Sequence, residues 1–176
     1  MMSRQITGHA RVHFMGTLIF ILLGSLVFFS CELLLPIEID FDRDTFNREW
    51  AAWEEQGIVN YTVWNGTIHP AGGKAAYITV RDNVFIESTS PPWVFSTISE
   101  RYAHYNKIYE DAIERIEAEK RKKGGLRGIE IKAAYNKEFH YPEYITCSYS
   151  YYGDDPDGSG TFGIHFAEFT PLAPAE

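Results

Sequence analysis

The spacing of apolar residues changes along the chain, and each change marks an element. Phe14 to Phe29 is a continuous apolar or small run, followed by Ser30-Cys31 and a polar shift at Glu32. Ile37, Ile39 and Phe41 alternate, as in an extended tether or a short edge strand. Phe46, Trp50 and Trp53 then recur at helical spacing, which predicts a first helix with Asp42 at its N-cap, Asp44 at its positive end and Gly57 as its stop. Two tryptophans on one stripe can form a ligand platform, but the amphipathic pattern favours core.

A period of two follows. Val59, Tyr61 and Val63 predict a strand over 58–64, with Asn65-Gly66 as a turn and 67–73 as a loop. Ala76, Ile78 and Val80 predict a second strand over 74–81. Asp82-Asn83 makes a two-residue turn, and 84–88 returns antiparallel. Ser90-Pro91-Pro92-Trp93 breaks the pattern.

Thr97 and Glu100 form a capping box at the start of a long helix over 98–123, with Ile98, Tyr102, Tyr105, Ala112, Ile113 and Ile116 on the buried face. Glu117 with Arg121 and Glu119 with Lys123 have i,i+4 spacing. Lys120-Arg121-Lys122-Lys123 complements the negative helix end, a simpler reading than a phosphate or headgroup site, and Gly124-Gly125 stops the helix. Three more strands are expected over 126–135, 144–152 and 161–169. The order α-β-β-β-α-β-β-β predicts an α+β fold, an antiparallel sheet of about five to six strands packed on one long and one short helix. Residues 42–170 form its single domain, 31–41 a tether and 171–176 a frayed tail.

The N-terminal run reads as an export address. Arg4 and Arg11 supply a basic head without acidic residues, the run is 16 residues long, and Phe28-Phe29-Ser30-Cys31 looks like a bacterial lipobox. On that reading residues 1–30 are a signal peptide, and Cys31 carries acyl chains such as palmitate and becomes the mature N-terminus. More than one chain makes the anchoring stable. An uncleaved anchor helix is the alternative, but a span needs ~20 residues, and an extension to Leu35 would enclose Glu32. Simple cleavage without lipid is a third outcome. The expected place is the cell membrane or the outer membrane, with the body in the periplasm or outside the cell.

Loss of the signal would leave 14 basic against 24 acidic residues, a net charge of −10, which argues against nucleic acid or anionic lipid as a bulk electrostatic partner. Aromatic residues make up 15% of the chain, too many for a disordered body. With Cys31 acylated, Cys147 has no internal partner, so packing alone must hold the fold.

Several short motifs resemble a family of uncharacterised bacterial lipoproteins, the domain of unknown function sixty-one seventy-four. They are Trp50, Tyr61, Ile78-Thr79-Val80-Arg81-Asp82-Asn83-Val84, Thr97-Ile98, Ile129-Glu130-Ile131, Tyr135-Asn136 and Tyr141-Pro142-Glu143-Tyr144-Ile145. Asn83 and His140 stand where that family has glycine; Asn is an acceptable exchange in a positive-φ turn. The resemblance implies a small exported α+β domain and no activity.

Candidate chemistry is sparse. His69, His104, His140 and His165 form no HExxH or His/Cys ligand spacing. Asp154, Asp155 and Asp157 precede Gly158 as in calcium loops, but the distal glutamate of an EF-hand is missing, and an acidic hairpin loop explains the run as well. No GxSxG, Walker A or dinucleotide fingerprint is present. Cys147, flanked in period two by Tyr149 and Tyr151, reads as a buried small hydrophobe. No cofactor is expected. These features favour a non-catalytic binding or scaffolding domain with an envelope protein or glycan as partner. Trp64, Trp93, Tyr141, Tyr144 and Tyr152 are candidate ligand contacts, each with ordinary core or loop packing as the alternative. The alternative function is a hydrolase of envelope polymers that uses carboxylates such as Glu130 and Glu143, which need ~5–9 Å between them.

Overall fold

The period-two segments fold as strands and the two amphipathic segments as helices. The computed structural model describes residues 35–89, 96–119, 122–153 and 160–174; Cys31, Trp93, Asp154, Asp155 and Asp157 lie outside them. The elements are β1 (Glu38–Asp40), α1 (Arg43–Glu55), β2 (Tyr61–Ile68), β3 (Ala75–Arg81), β4 (Val84–Ser88), α2 (Ile98–Glu119), β5 (Leu126–Tyr135), β6 (Pro142–Tyr151) and β7 (Phe162–Pro171). One sheet holds all the strands in the order β1-β5-β6-β7-β2-β3-β4. Ile37 onward forms one compact unit.

The class is α+β, but the sheet has seven strands and is mixed, not antiparallel with five or six. The added strand is β1, whose Glu38, Ile39 and Asp40 run parallel to Gly128, Ile129 and Glu130. Of the two readings of the Ile37, Ile39 and Phe41 alternation, tether or short edge strand, the edge strand forms. Gly128 permits the approach, because a Cβ there would meet the Glu38 carbonyl oxygen at 2.1 Å. At the other end β7 continues to Pro171, and the amide of Leu172 donates to the Asn60 carbonyl at 2.9 Å, so the start of the expected tail belongs to the sheet.

Asn65-Gly66 is not a turn. It lies inside β2, with Asn65 opposite Ala76 and Phe166, and the reversal falls in residues 69–74. Strands on both sides of β2 hold this dipeptide extended, and tertiary pairing overrides its local preference. The two-residue turn at Asp82-Asn83 does form, both residues at positive φ. His140, at φ +58°, also adopts the backbone that glycine favours.

Asp42 caps α1 by accepting from the Thr45 amide at 3.0 Å, and Gly57 follows the helix at φ +61°. The capping box of α2 forms reciprocally: the Thr97 amide donates to Glu100 at 2.8 Å, and the Glu100 amide donates to the Thr97 hydroxyl at 3.1 Å. The described part of α2 runs to Glu119; Lys120 and Arg121 lie outside the described residues. The Glu119 carboxylate accepts from the Leu126 amide at 2.6 Å and pairs with Arg115 at 3.3 Å, which binds this part of the helix to the start of β5.

Both helices pack on one face of the sheet. Phe46, Trp53, Tyr102, Tyr105 and Ile116 join the inward residues Tyr61, Val63, Ile78, Ile145 and Phe166 in one core. Three tyrosines also fasten α2 by hydrogen bonds. Tyr61 Oη accepts from the Ile98 amide at 2.9 Å, Tyr102 Oη donates to the His140 carbonyl at 2.5 Å, and Tyr105 Oη donates to the Ile145 carbonyl at 3.4 Å. Burial pushes all three phenols well above their ordinary range, so they stay neutral.

The Ile98 amide is one of the four helix donors without an intrahelical acceptor. Tyr61→Phe removes its partner while keeping the ring, and should cost about 1–3 kcal/mol in urea unfolding. Thr97→Ala should cost about 1 kcal/mol through loss of the cap.

Candidate functional site

The opposite face of the sheet is covered by neither helix. Side chains alternate across a strand, so the residues between the core positions point there. On β2 these are Thr62, Trp64 and Gly66; β3 contributes Ala75 and Tyr77, β6 Tyr144 and Thr146, and β7 His165 and Ala167. The register aligns them. Tyr144 lies opposite His165, His165 opposite Gly66, and Gly66 opposite Ala75, one line across four strands. Trp64 lies opposite Ala167 and Tyr77 in the next line.

Glycine shapes this surface. A Cβ on Gly66 would sit 2.7 Å from Cη2 of Trp64, so the far end of the indole covers that residue. The Trp64 and His165 rings meet edge to face, with centroids 5.3 Å apart and planes at 74°. Around them is an open groove of about 540 Å³, lined by Trp64, Gly66, Thr67, Ile68, Gly73, Lys74, Ala75, Tyr144, Thr146 and His165. Its size lies within the usual range for small-molecule sites. Thr67 fixes one rim: its hydroxyl accepts from the Lys74 amide at 3.0 Å, and its amide donates to the Lys74 carbonyl at 2.7 Å. Beyond Trp64, the Tyr77 hydroxyl donates to Glu168, a bond that raises the phenol pKa. Glu168 has φ +52° at the β2–β7 bulge, which turns its carboxylate toward Tyr77.

Of the five aromatic candidates, Trp64 and Tyr144 meet in this groove. Tyr141 and Tyr152 do not: they are 5% and 1% exposed, and Tyr141 packs against Phe169 on the core side. Trp93 and the aspartate run lie outside the described residues, as does Cys31. His165 was one of four scattered histidines without ligand spacing, and Gly66 read as part of a turn. The Trp-x-Gly spacing within a strand was the available signal, obscured by reading Asn65-Gly66 as a turn.

The carboxylate pair of the hydrolase reading is not brought together. Glu130 lies opposite Ser148, five residues along β6 from Glu143, roughly 16 Å at ~3.3 Å per residue. Glu130 borders a second hollow of about 420 Å³ with Glu38, Asp40 and Ser148. Lys132, 2.5 Å away, holds the Glu130 carboxyl below its usual range by a hydrogen bond, the reverse of what a general acid requires. Among the described residues no group of three or more His, Cys, Asp or Glu side chains could hold a metal ion. Cys147 faces the core, and burial pushes its thiol up to about 12.

No family model, curated protein or solved structure matches the chain.

Two outcomes follow from this geometry. Gly66→Ala should displace the Trp64 indole, changing the near-ultraviolet circular dichroism of tryptophan, with a stability loss of about 1–3 kcal/mol. Cys147, neutral below a pH of about 12, should resist alkylation in the native protein and react only on unfolding, as counted by mass spectrometry with and without urea.

Proposed function

We propose that this chain is an exported domain held at a bilayer by a lipid on Cys31, and that it acts by binding an envelope component rather than by catalysis. The observation that carries the binding reading is the groove on the open sheet face, where Trp64, Tyr144 and His165 converge from three strands. Aromatic rings with a few polar groups around a concave surface are the usual make-up of a ligand site. The tether reading rests on the basic head, the apolar run and Cys31. The motif resemblance supports the same picture of a small exported α+β lipoprotein.

No helix among the described residues is long and apolar enough to cross a membrane. On this reading the protein depends on its acyl chains for attachment. Between Cys31 and Glu38 the backbone can extend roughly 25 Å, at ~3.3–3.6 Å per residue, which keeps the body close to the lipid surface.

Mass spectrometry of the mature protein should find residues 1–30 absent and acyl chains on Cys31. Cys31→Ala should move the protein out of the lipid-anchored membrane fraction. An intact Met1, or a mature terminus without lipid, would falsify the tether.

A further inference from the structure

We infer that Asn65-Gly66 is a covalent modification site that records unfolding: in an opened chain the dipeptide deamidates, and a chain so changed does not regain its sheet. The inference stands apart from the tether and from any ligand of the groove.

The chemistry belongs to the dipeptide. Gly66 has no Cβ to shield its backbone nitrogen. Once that nitrogen gives its proton to hydroxide, it attacks the side-chain carbonyl carbon of Asn65. A five-membered succinimide closes as the C–N bond of the carboxamide breaks and ammonia leaves. Water then opens the ring at either carbonyl, giving aspartate or isoaspartate. The sequence needs no oxidant and no second protein. The chain has six asparagines, Asn47, Asn60, Asn65, Asn83, Asn106 and Asn136, and Asn65 alone precedes glycine.

The fold holds the reaction off. Ring closure needs the Gly66 nitrogen nearly eclipsed with the Asn65 Cβ, and extended backbone keeps the two well apart about the Cα–C bond. Strands on both sides fix that extension: Asn65 lies opposite Ala76, and Gly66 opposite His165. The Thr67 amide donates to the Lys74 carbonyl at 2.7 Å. Ladder bonds alternate in side along an antiparallel strand, so Asn65 bonds toward β3 and Gly66 toward β7. The attacking nitrogen is thus held as a hydrogen-bond donor inside the sheet. In the turn that its composition suggests, the same pair would be free to close.

The product does not fit. Asn65 is 0% exposed, its cross-strand neighbours Ala76 and Phe166 are 4% and 1% exposed, and its carboxamide has no hydrogen-bond partner among the described residues. An ionised carboxylate is far costlier there than the neutral amide. Isoaspartate is worse, because it routes the main chain through Cβ and Cγ and adds one backbone atom. That atom throws the rest of β2 out of register with β3 and β7 together. Trp64 and Gly66 flank the site, so the groove is lost with the strand.

The test incubates the full chain in detergent at mildly alkaline pH, folded or in urea, and reads deamidation of each asparagine by peptide mass spectrometry. In urea Asn65 should react roughly tenfold faster than the other asparagines, whose next residues all carry a Cβ. In the folded protein it should react roughly a hundredfold or more slowly than in urea, because a central strand opens only with most of the sheet. Dilution from urea should then return unmodified chains to the native state and leave modified ones behind. Modification at Asn65 should therefore be roughly tenfold rarer in the refolded fraction than in the remainder. Asn65→Ser has no carboxamide and should keep its refolding yield through the same incubation. Equal rates in folded and unfolded chains, or equal modification in the two fractions, overturns the inference. If Asn65→Ser does not fold, the sorting of unmutated chains between the fractions decides alone.

Discussion

Three phenolic hydroxyls hold α2 to the sheet, and the layered arrangement depends on that attachment. Tyr61 receives the first helical amide, Tyr102 reaches the carbonyl before the β6 entry, and Tyr105 reaches a carbonyl within β6. Each ring also lies in the core, so one residue type supplies both buried area and a directional bond. Phenylalanine would provide only the area. The aromatic network continues outward, with Tyr102 stacked between Trp50 at 5.8 Å and Tyr135 at 6.4 Å. These contacts, with α1 fitted against them, supply the cohesion of a body whose described cysteine is free.

A one-sided core has a consequence for the other side. Seven strands present two faces, and the two helices cover one. The remaining face has to be stable in water, and its residues show how. Thr62, Thr79, Thr146 and Ser148 are polar, Glu130 pairs with Lys132, and Tyr77 bonds Glu168. Trp64, Tyr144 and Ile68 depart from this pattern, and Trp64 covers the gap left by a glycine. The groove is therefore a product of the same economy of helices that defines the fold.

Much of this was legible before the structure. The caps at Asp42 and Thr97, the inward sets of β3 and β6, the Asp82-Asn83 turn and the buried state of Cys147 all follow from period and local chemistry. The failures have distinct physical origins. β1 is three residues long and pairs in parallel with a strand almost ninety positions away, so the alternation there could suggest an edge strand but not its partner or direction. Asn65-Gly66 has a turn's composition but is held extended by β3 and β7. The contact from Glu119 to the Leu126 amide ties α2 to β5 across seven positions, a pairing that helical period does not signal. The site was half visible: Trp64 and Tyr144 could be named as exposed-aromatic candidates, but only register brings Tyr144 opposite His165 and Trp64 into the neighbouring line.

The parallel pairing of β1 also sets where the molecule yields. Any pull arriving through the residues ahead of Ile37 reaches a three-residue edge strand first. Those few ladder bonds can shear away from β5 while α1, α2 and the antiparallel strands keep their contacts. Such a release would free β1 and leave the core intact, so the first rung would part before the layers behind it.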